Sequence, residues 1–187
     1  MRIILASQSK RRIEIMEEMG FNFEVIPSKK DELVSSYSSS ADLVMQLARQ
    51  KGEDIYKDNT DAIVLGFDTL VFLGDEPLGK PHSEEECINM IEKLSGKEHK
   101  VVTGGYIRAK DYVDNYYSEC LVKFKEIPED AIKAYAKTSE PYDKAGGYAI
   151  QGYIGRYIES VNGDIFSVIG LPKAMTYEKL ISYIKKH

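Results

Sequence analysis

Two hydroxyls, an amide and three consecutive cations stand together in Ser7-Gln8-Ser9-Lys10-Arg11-Arg12, between an apolar run and a helical pattern. That mixture suits an anion cradle. Arg2 to Ala6 reads as a short buried strand, and Ile13, Met16 and Ile15, Met19 recur at helical spacing until Gly20. The cations therefore open a helix, where unpaired N–H groups and a partial positive charge disfavour them unless an anion compensates. A phosphate is the natural compensator. The competing reading is a solvated basic turn with Ser9 as an ordinary N-cap.

A second signal is Asp68-Thr69, which interrupts Ala62 to Leu73, the most apolar run in the chain. A carboxylate placed there must be protonated, paired with a cation, hydrogen-bonded or bound to a metal, unless it sits at a strand end and bonds its own backbone. Lys51 follows the apolar stripe of Val44, Leu47 and Ala48, so its ammonium either enters a cavity or reaches water over a buried stem. With Ser7, Ser9, Arg11, Arg12, Glu32, Lys80, Asp143, Lys144 and Gln151, these residues share phosphate chemistry. Cations neutralise phosphate oxygens, acids hold a divalent ion or activate water, and hydroxyls or amides orient the remaining ligand. Walker, Rossmann, Gly-x-Ser-x-Gly and His-Glu-x-x-His patterns are absent from the sequence.

The elements that must position these groups alternate between strand and helix. Phe21, Phe23 and Val25 alternate as a second strand, and Ser28 to Ser40 is a long polar connection suited to covering a cleft. A helix is predicted from Ala41 to about Tyr56, with Ser40 or Asp42 as its cap. Ser83 and Glu86 form a capping box before another helix, which ends at Ser95-Gly96. Val101 to Ile107 and Tyr116 to Phe124 read as strands joined by a charged turn, with Gly104-Gly105 as a candidate bulge. Pro128 to Lys137 reads as a helix, Asn162-Gly163 as a turn, and Pro172 as the opening of a terminal helix. No repeat or linker interrupts the chain, and the mixture implies an α/β fold.

A chain of 187 residues with 43% hydrophobic content suits one domain, which can still be bilobed. Its formal charge of −5 disfavours a general nucleic-acid binder and favours a compact site for a small phosphorylated ligand. Cys87 and Cys120 fit neither a disulfide framework nor a zinc site, which suits a reducing cytoplasm. The apolar run after Arg2 is too short for a signal peptide, and no stretch approaches a membrane span. His82, His99 and His187 do not cluster and are expected at the surface or in turns.

Six blocks stand in order along the chain: Leu5-Ala6-Ser7-Gln8-Ser9-Lys10-Arg11-Arg12, Gly66-Phe67-Asp68-Thr69, Gly79-Lys80-Pro81, Asp143-Lys144-Ala145-Gly146, Ile150-Gln151-Gly152 and Val168-Ile169-Gly170-Leu171-Pro172. Through these blocks the chain resembles the Maf family of nucleoside triphosphate pyrophosphatases. The resemblance implies a single bilobed domain over residues 1–187, related to inosine triphosphatases, with a mixed twisted β-sheet, flanking helices and two lobes around a deep nucleotide-binding cleft. It implies hydrolysis of a nucleotide to its monophosphate and pyrophosphate with Mg²⁺ or Mn²⁺, by a cytoplasmic homodimer without stable nucleic-acid or membrane binding.

By matching position, Asp68 resembles the catalytic base, and Arg11, Thr69 and Gln151 resemble the substrate-discriminating residues of the dTTP/UTP subgroup. Ser7, Ser9, Arg12, Lys51, Lys80 and Lys144 match phosphate- or substrate-binding positions, and Asp68 with Glu32 a metal pair. Lys10, Phe67, Gly147 and Ser167 depart from the family's commoner proline, alanine, alanine and asparagine. A nucleotide-binding regulator of cell division is the alternative reading from another functional class.

Overall fold

The computed structural model describes residues 1–29 and 34–186. Its seven strands form one mixed sheet: β1 (Ile3–Leu5), β2 (Glu24–Val25), β3 (Ile63–Leu73), β4 (Glu76–Leu78), β5 (Glu98–Ala109), β6 (Tyr112–Phe124) and β7 (Ile158–Gly163). The order across the sheet is β2-β1-β3-β5-β6-β7, with β4 paired to β3. β1 runs parallel to both β2 and β3, and β4 and β7 pair antiparallel with β3 and β6. Six α-helices accompany the sheet among the described residues: α1 (Lys10–Glu18), α2 (Ser40–Tyr56), α3 (Glu84–Leu94), α4 (Glu129–Ala136), α5 (Ile165–Ile169) and α6 (Lys173–Ile184). The α/β expectation is met, and none of these helices is long and apolar enough to cross a membrane.

The chain divides into two compact units. The first comprises Met1–Thr69, Thr103–Ser118 and Ile169–His187, and the second Leu70–Val102 and Glu119–Val168. In the first unit, Ile4 and Ala6 pack with Val64, Ala62, Ile55 and Tyr56. β1 and the start of β3 read as continuous apolar runs because they are buried parallel strands. The second unit has its own core, in which Cys87, Ile91 and Leu94 of α3 meet Ile132, Tyr135 and Ala136 of α4 and Phe124 of β6.

Within the first unit α2 lies directly against β3 and β5. A Cβ at Gly66 would collide with the carbonyl oxygen of Ala48, and one at Gly104 with the carbonyl group of Val44. The two glycines therefore admit the helix backbone itself to the sheet. This close approach is the reason for glycine at position 104, where the sequence suggested a bulge.

Several local expectations are corrected. The cap of α2 is Ser39, not Ser40 or Asp42: its side chain accepts from the Asp42 N–H at 3.1 Å, while Asp42 accepts from Ser38. Asn162-Gly163 is not a turn but the end of β7, opposite Leu121 and Cys120. The strand expected from Phe21 shortens to Glu24–Val25, both exposed, because only two residues pair with β1. The Ser83 and Glu86 box forms as read, with Ser83 Oγ accepting from the Glu86 N–H at 3.1 Å and Glu86 accepting from the His82 N–H at 2.7 Å. His99 is buried rather than at the surface, packed against Phe124 and Tyr148 with its Nε2 2.6 Å from the Tyr148 hydroxyl.

Two stability measurements follow from this packing. Gly104→Ala drives a methyl group into the α2 backbone and should cost about 2–4 kcal/mol in urea unfolding, a cost of the overpacking kind. Burial lowers the His99 pKa from 6.5 to about 4. The unfolded chain then binds a proton that the folded chain refuses, so this contribution is complete above pH 6.5 and is lost as pH falls towards 4. The loss should be on the order of 3 kcal/mol, and His99→Gln should flatten that part of the stability–pH curve.

Candidate functional site

The first unit carries two linked clusters. Ser9 occupies the N-cap position of α1, yet its side chain makes no cap hydrogen bond. The hydroxyl that organises this loop belongs to Ser7, which accepts from the Ser9 N–H at 3.3 Å and from Arg12 Nη1 at 3.2 Å. Lys10, Arg11 and Arg12 make up the first turn of α1, with no acidic residue in it. Three cations at the positive end of a helix dipole, in a first turn that contains no acidic residue, form a basic helix start suited to an anion.

Arg12 does more than supply charge. Its Nε donates to the Gly170 carbonyl at 2.8 Å and its Nη2 to Thr69 Oγ1 at 3.1 Å, and that hydroxyl lies 2.7 Å from Thr103 Oγ1. One guanidinium thus ties the loop after β1, strand β3 and the segment before α6. Its planar fork suits simultaneous donation in several directions. Thr103, fully buried, was missed by sequence reasoning, because a threonine inside a strand carries no signal of its partner.

The second cluster lies on the other face of β3. Gly66 and Asp68 share the face against α2, and Thr69 points to the opposite face. Asp68 is 5% exposed, and Lys51 reaches it from α2 with Nζ 2.5 Å from Oδ1. This decides both open readings. Asp68 stands in the interior of a long strand rather than at its end, and Lys51 turns inward to a carboxylate rather than outward to water. Phe67 is fully buried beside Asp68 in sequence, so its departure from alanine concerns packing.

The second unit carries the remaining residues. Lys80 follows β4 and is exposed, and its neighbour Gly79 accepts from the Gly146 N–H at 2.9 Å. That bond joins the Gly79-Lys80-Pro81 motif to Asp143-Lys144-Ala145-Gly146. Lys144 is mostly buried, and its Nζ donates to the Glu140 carbonyl and to Asp143 Oδ1, both at 2.5 Å. Gln151 is exposed on a turn closed by the Gly152 N–H donating to the Ala149 carbonyl at 3.0 Å. Ser167, which replaces the family's commoner asparagine, is buried and donates to Asp164 Oδ2 at 3.2 Å.

Glu32 lies outside the described residues. Among the described residues no group of three or more His, Cys, Asp or Glu could hold a metal by itself. One buried carboxylate nevertheless fits Mg²⁺ or Mn²⁺, which such sites hold with one or two carboxylates plus the phosphate oxygens of the substrate. No added structural feature marks Lys10, which is exposed at the first position of α1.

Known proteins resemble this chain in sequence and in fold. The family model described as "Maf-like protein" matches residues 2–183. A Bacillus cereus protein named dTTP/UTP pyrophosphatase is 46% identical over 171 residues, covering 91% of this chain and 90% of its own length. A Bacillus thuringiensis protein of the same name matches to the same extent. Among solved structures, a HAM1 protein from Coxiella burnetii superposes with a TM-score of 0.53 at 13% identity, over 100% of both chains, which shows a shared fold.

The Lys51–Asp68 pair can be tested without any ligand. Lys51→Met leaves a carboxylate buried without its cation and should destabilise the protein by about 3 kcal/mol. The double variant Lys51→Met/Asp68→Asn should recover more than half of that loss, and urea unfolding of the four proteins gives the coupling directly.

Proposed function

The chain belongs to the Maf family, and on that premise we propose that it hydrolyses dTTP and UTP to the nucleoside monophosphate and pyrophosphate. The observation that carries this reading is the buried Lys51–Asp68 pair, on the unit whose first helix opens with three cations and no acid. The relatives named dTTP/UTP pyrophosphatase support the choice of substrates.

In the proposed reaction a water oxygen attacks the α-phosphorus, and the bond from that phosphorus to the bridging oxygen breaks. Asp68 takes the proton of the attacking water. Lys51, with Nζ 2.5 Å from Oδ1, holds that carboxylate in place for the attack. Arg11, with Lys80 and Lys144, meets the negative charge that collects on the departing pyrophosphate. Ser7, Ser9 and Arg12 shape the loop that receives the triphosphate. Arg11, Thr69 and Gln151 discriminate among nucleotides, and the Gln151 amide offers both a donor and an acceptor to a base edge.

Asp68 is the described carboxylate suited to Mg²⁺ or Mn²⁺, with Glu32 as the second. Such an ion neutralises phosphate charge when bound. The same reading holds that the protein works as a cytoplasmic homodimer on free nucleotides, with no nucleic acid or membrane partner. The buried, unpaired Cys87 and Cys120 suit a reducing compartment.

Product analysis across dTTP, UTP, dCTP and dGTP with Mg²⁺ or Mn²⁺ tests this reading, and release of single phosphates would contradict it. Asp68→Asn should lower kcat by about 100-fold or more while the protein stays folded, the scale of losing a general base. Gln151→Ala should reduce the preference for dTTP over dCTP more than it weakens pyrophosphate binding. Equal preference ratios before and after that substitution would remove Gln151 from substrate choice.

A further inference from the structure

Glu140 precedes the short Pro141–Asp143 turn and is half-buried in the second unit. Its carboxylate faces donors from the segment that follows Gln151. The Tyr153 N–H donates to Oε1 at 3.1 Å and lies 3.4 Å from Oε2, and the Tyr135 hydroxyl, which donates to the Gly147 carbonyl at 2.9 Å, lies 3.3 Å from Oε1. The carboxylate lies where a Cβ at residue 152 would stand, so a side chain in place of Gly152 would require it to shift. Tyr153 is held from its side chain as well: its ring lies parallel to that of Tyr135, with centroids 5.9 Å apart and 16° between planes.

These contacts fix the exit of the turn that carries Gln151. The Gly152 N–H closes that turn on the Ala149 carbonyl, and the next N–H along the chain ends on Glu140. The backbone of the same glutamate holds the other candidate ligand, since its carbonyl accepts from Lys144 Nζ at 2.5 Å. One residue therefore constrains the proposed base-reading amide through its carboxylate and a proposed phosphate-binding cation through its carbonyl. A turn pinned this way holds its side chain within the narrow tolerance that selective recognition needs.

We propose that Glu140 is a positioning residue for nucleotide selection, which sets the Gln151 turn against the chain segment bearing Lys144. The inference rests on the proposed dTTP/UTP hydrolysis and deepens it. Glu140 itself touches no reacting atom, so its removal should alter discrimination and not only the overall rate.

The experiment measures kcat/KM by pyrophosphate release for dTTP and dCTP in the wild type, Gln151→Ala, Glu140→Ala, Glu140→Asp and Glu140→Gln. Glu140→Ala should reduce the dTTP:dCTP preference about tenfold, taking one well-made hydrogen-bond anchor as the scale. Glu140→Asp keeps the charge but withdraws the oxygens by one methylene, and it should reduce the preference in the same direction. Glu140→Gln keeps an acceptor for the Tyr153 N–H and should restore most of the wild-type ratio. If Glu140→Ala fails to fold, the Asp and Gln pair still decides the question. Wild-type ratios in folded Glu140→Ala or Glu140→Asp, with Gln151→Ala reducing the preference, would overturn the role of Glu140 and leave the hydrolysis standing. A wild-type protein that releases no pyrophosphate from any of these nucleotides would overturn both.

Discussion

A carboxylate in the interior of a buried strand constrains everything packed around it. Asp68 has to keep a cation within hydrogen-bond distance, since leaving water unpaired would cost several kcal/mol. The cation comes from Lys51, and Lys51 reaches it only because α2 lies against β3 and β5 at backbone distance. Gly66 and Gly104 are thus as much a part of the site as the charged pair. Side chains at those positions would lift the helix away and separate the ammonium from its carboxylate.

The cations around Ser7 follow a related logic. Lys10, Arg11 and Arg12 stand in the first helical turn, where the dipole opposes them, yet Arg12 gains fixed acceptors from Ser7, Thr69 and Gly170. Its charge is placed by the fold before any ligand arrives. In the proposed reaction, preorganisation of this kind lowers the ordering cost of binding a phosphate. In the second unit Glu140 has the comparable task for Lys144 and for the turn of Gln151. In both units the residues that resemble a known site depend on others that carry no such mark.

Much of the fold was legible from local pattern. The apolar run from Ala62 to Leu73 became β3, the stripe of Leu43, Val44, Leu47 and Ala48 became the buried face of α2, and Ser83 with Glu86 capped α3 as their spacing required. Errors fell where long-range contact overrides propensity. Asn162-Gly163 has a strong turn signature, but pairing with Cys120 and Leu121 keeps it in β7. His99 lies in a strand whose polar-looking sequence hides its contact with Phe124 and Tyr148.

The sequence by itself determined the chemical inventory: a basic helix start, a carboxylate in an apolar run, a lysine on a core-facing stripe and an amide near the end of a glycine-rich segment. Residue type and spacing suffice for that, because helical and strand periodicity are local properties of the backbone. Only the tertiary structure decided that Lys51 turns to Asp68, that Arg12 binds Gly170 across 158 positions of sequence, and that Glu140 holds the residues beyond Gln151. Each of these is a contact between segments distant in the chain. Its existence depends on which backbones can approach closely, and that is settled by packing rather than by any local preference.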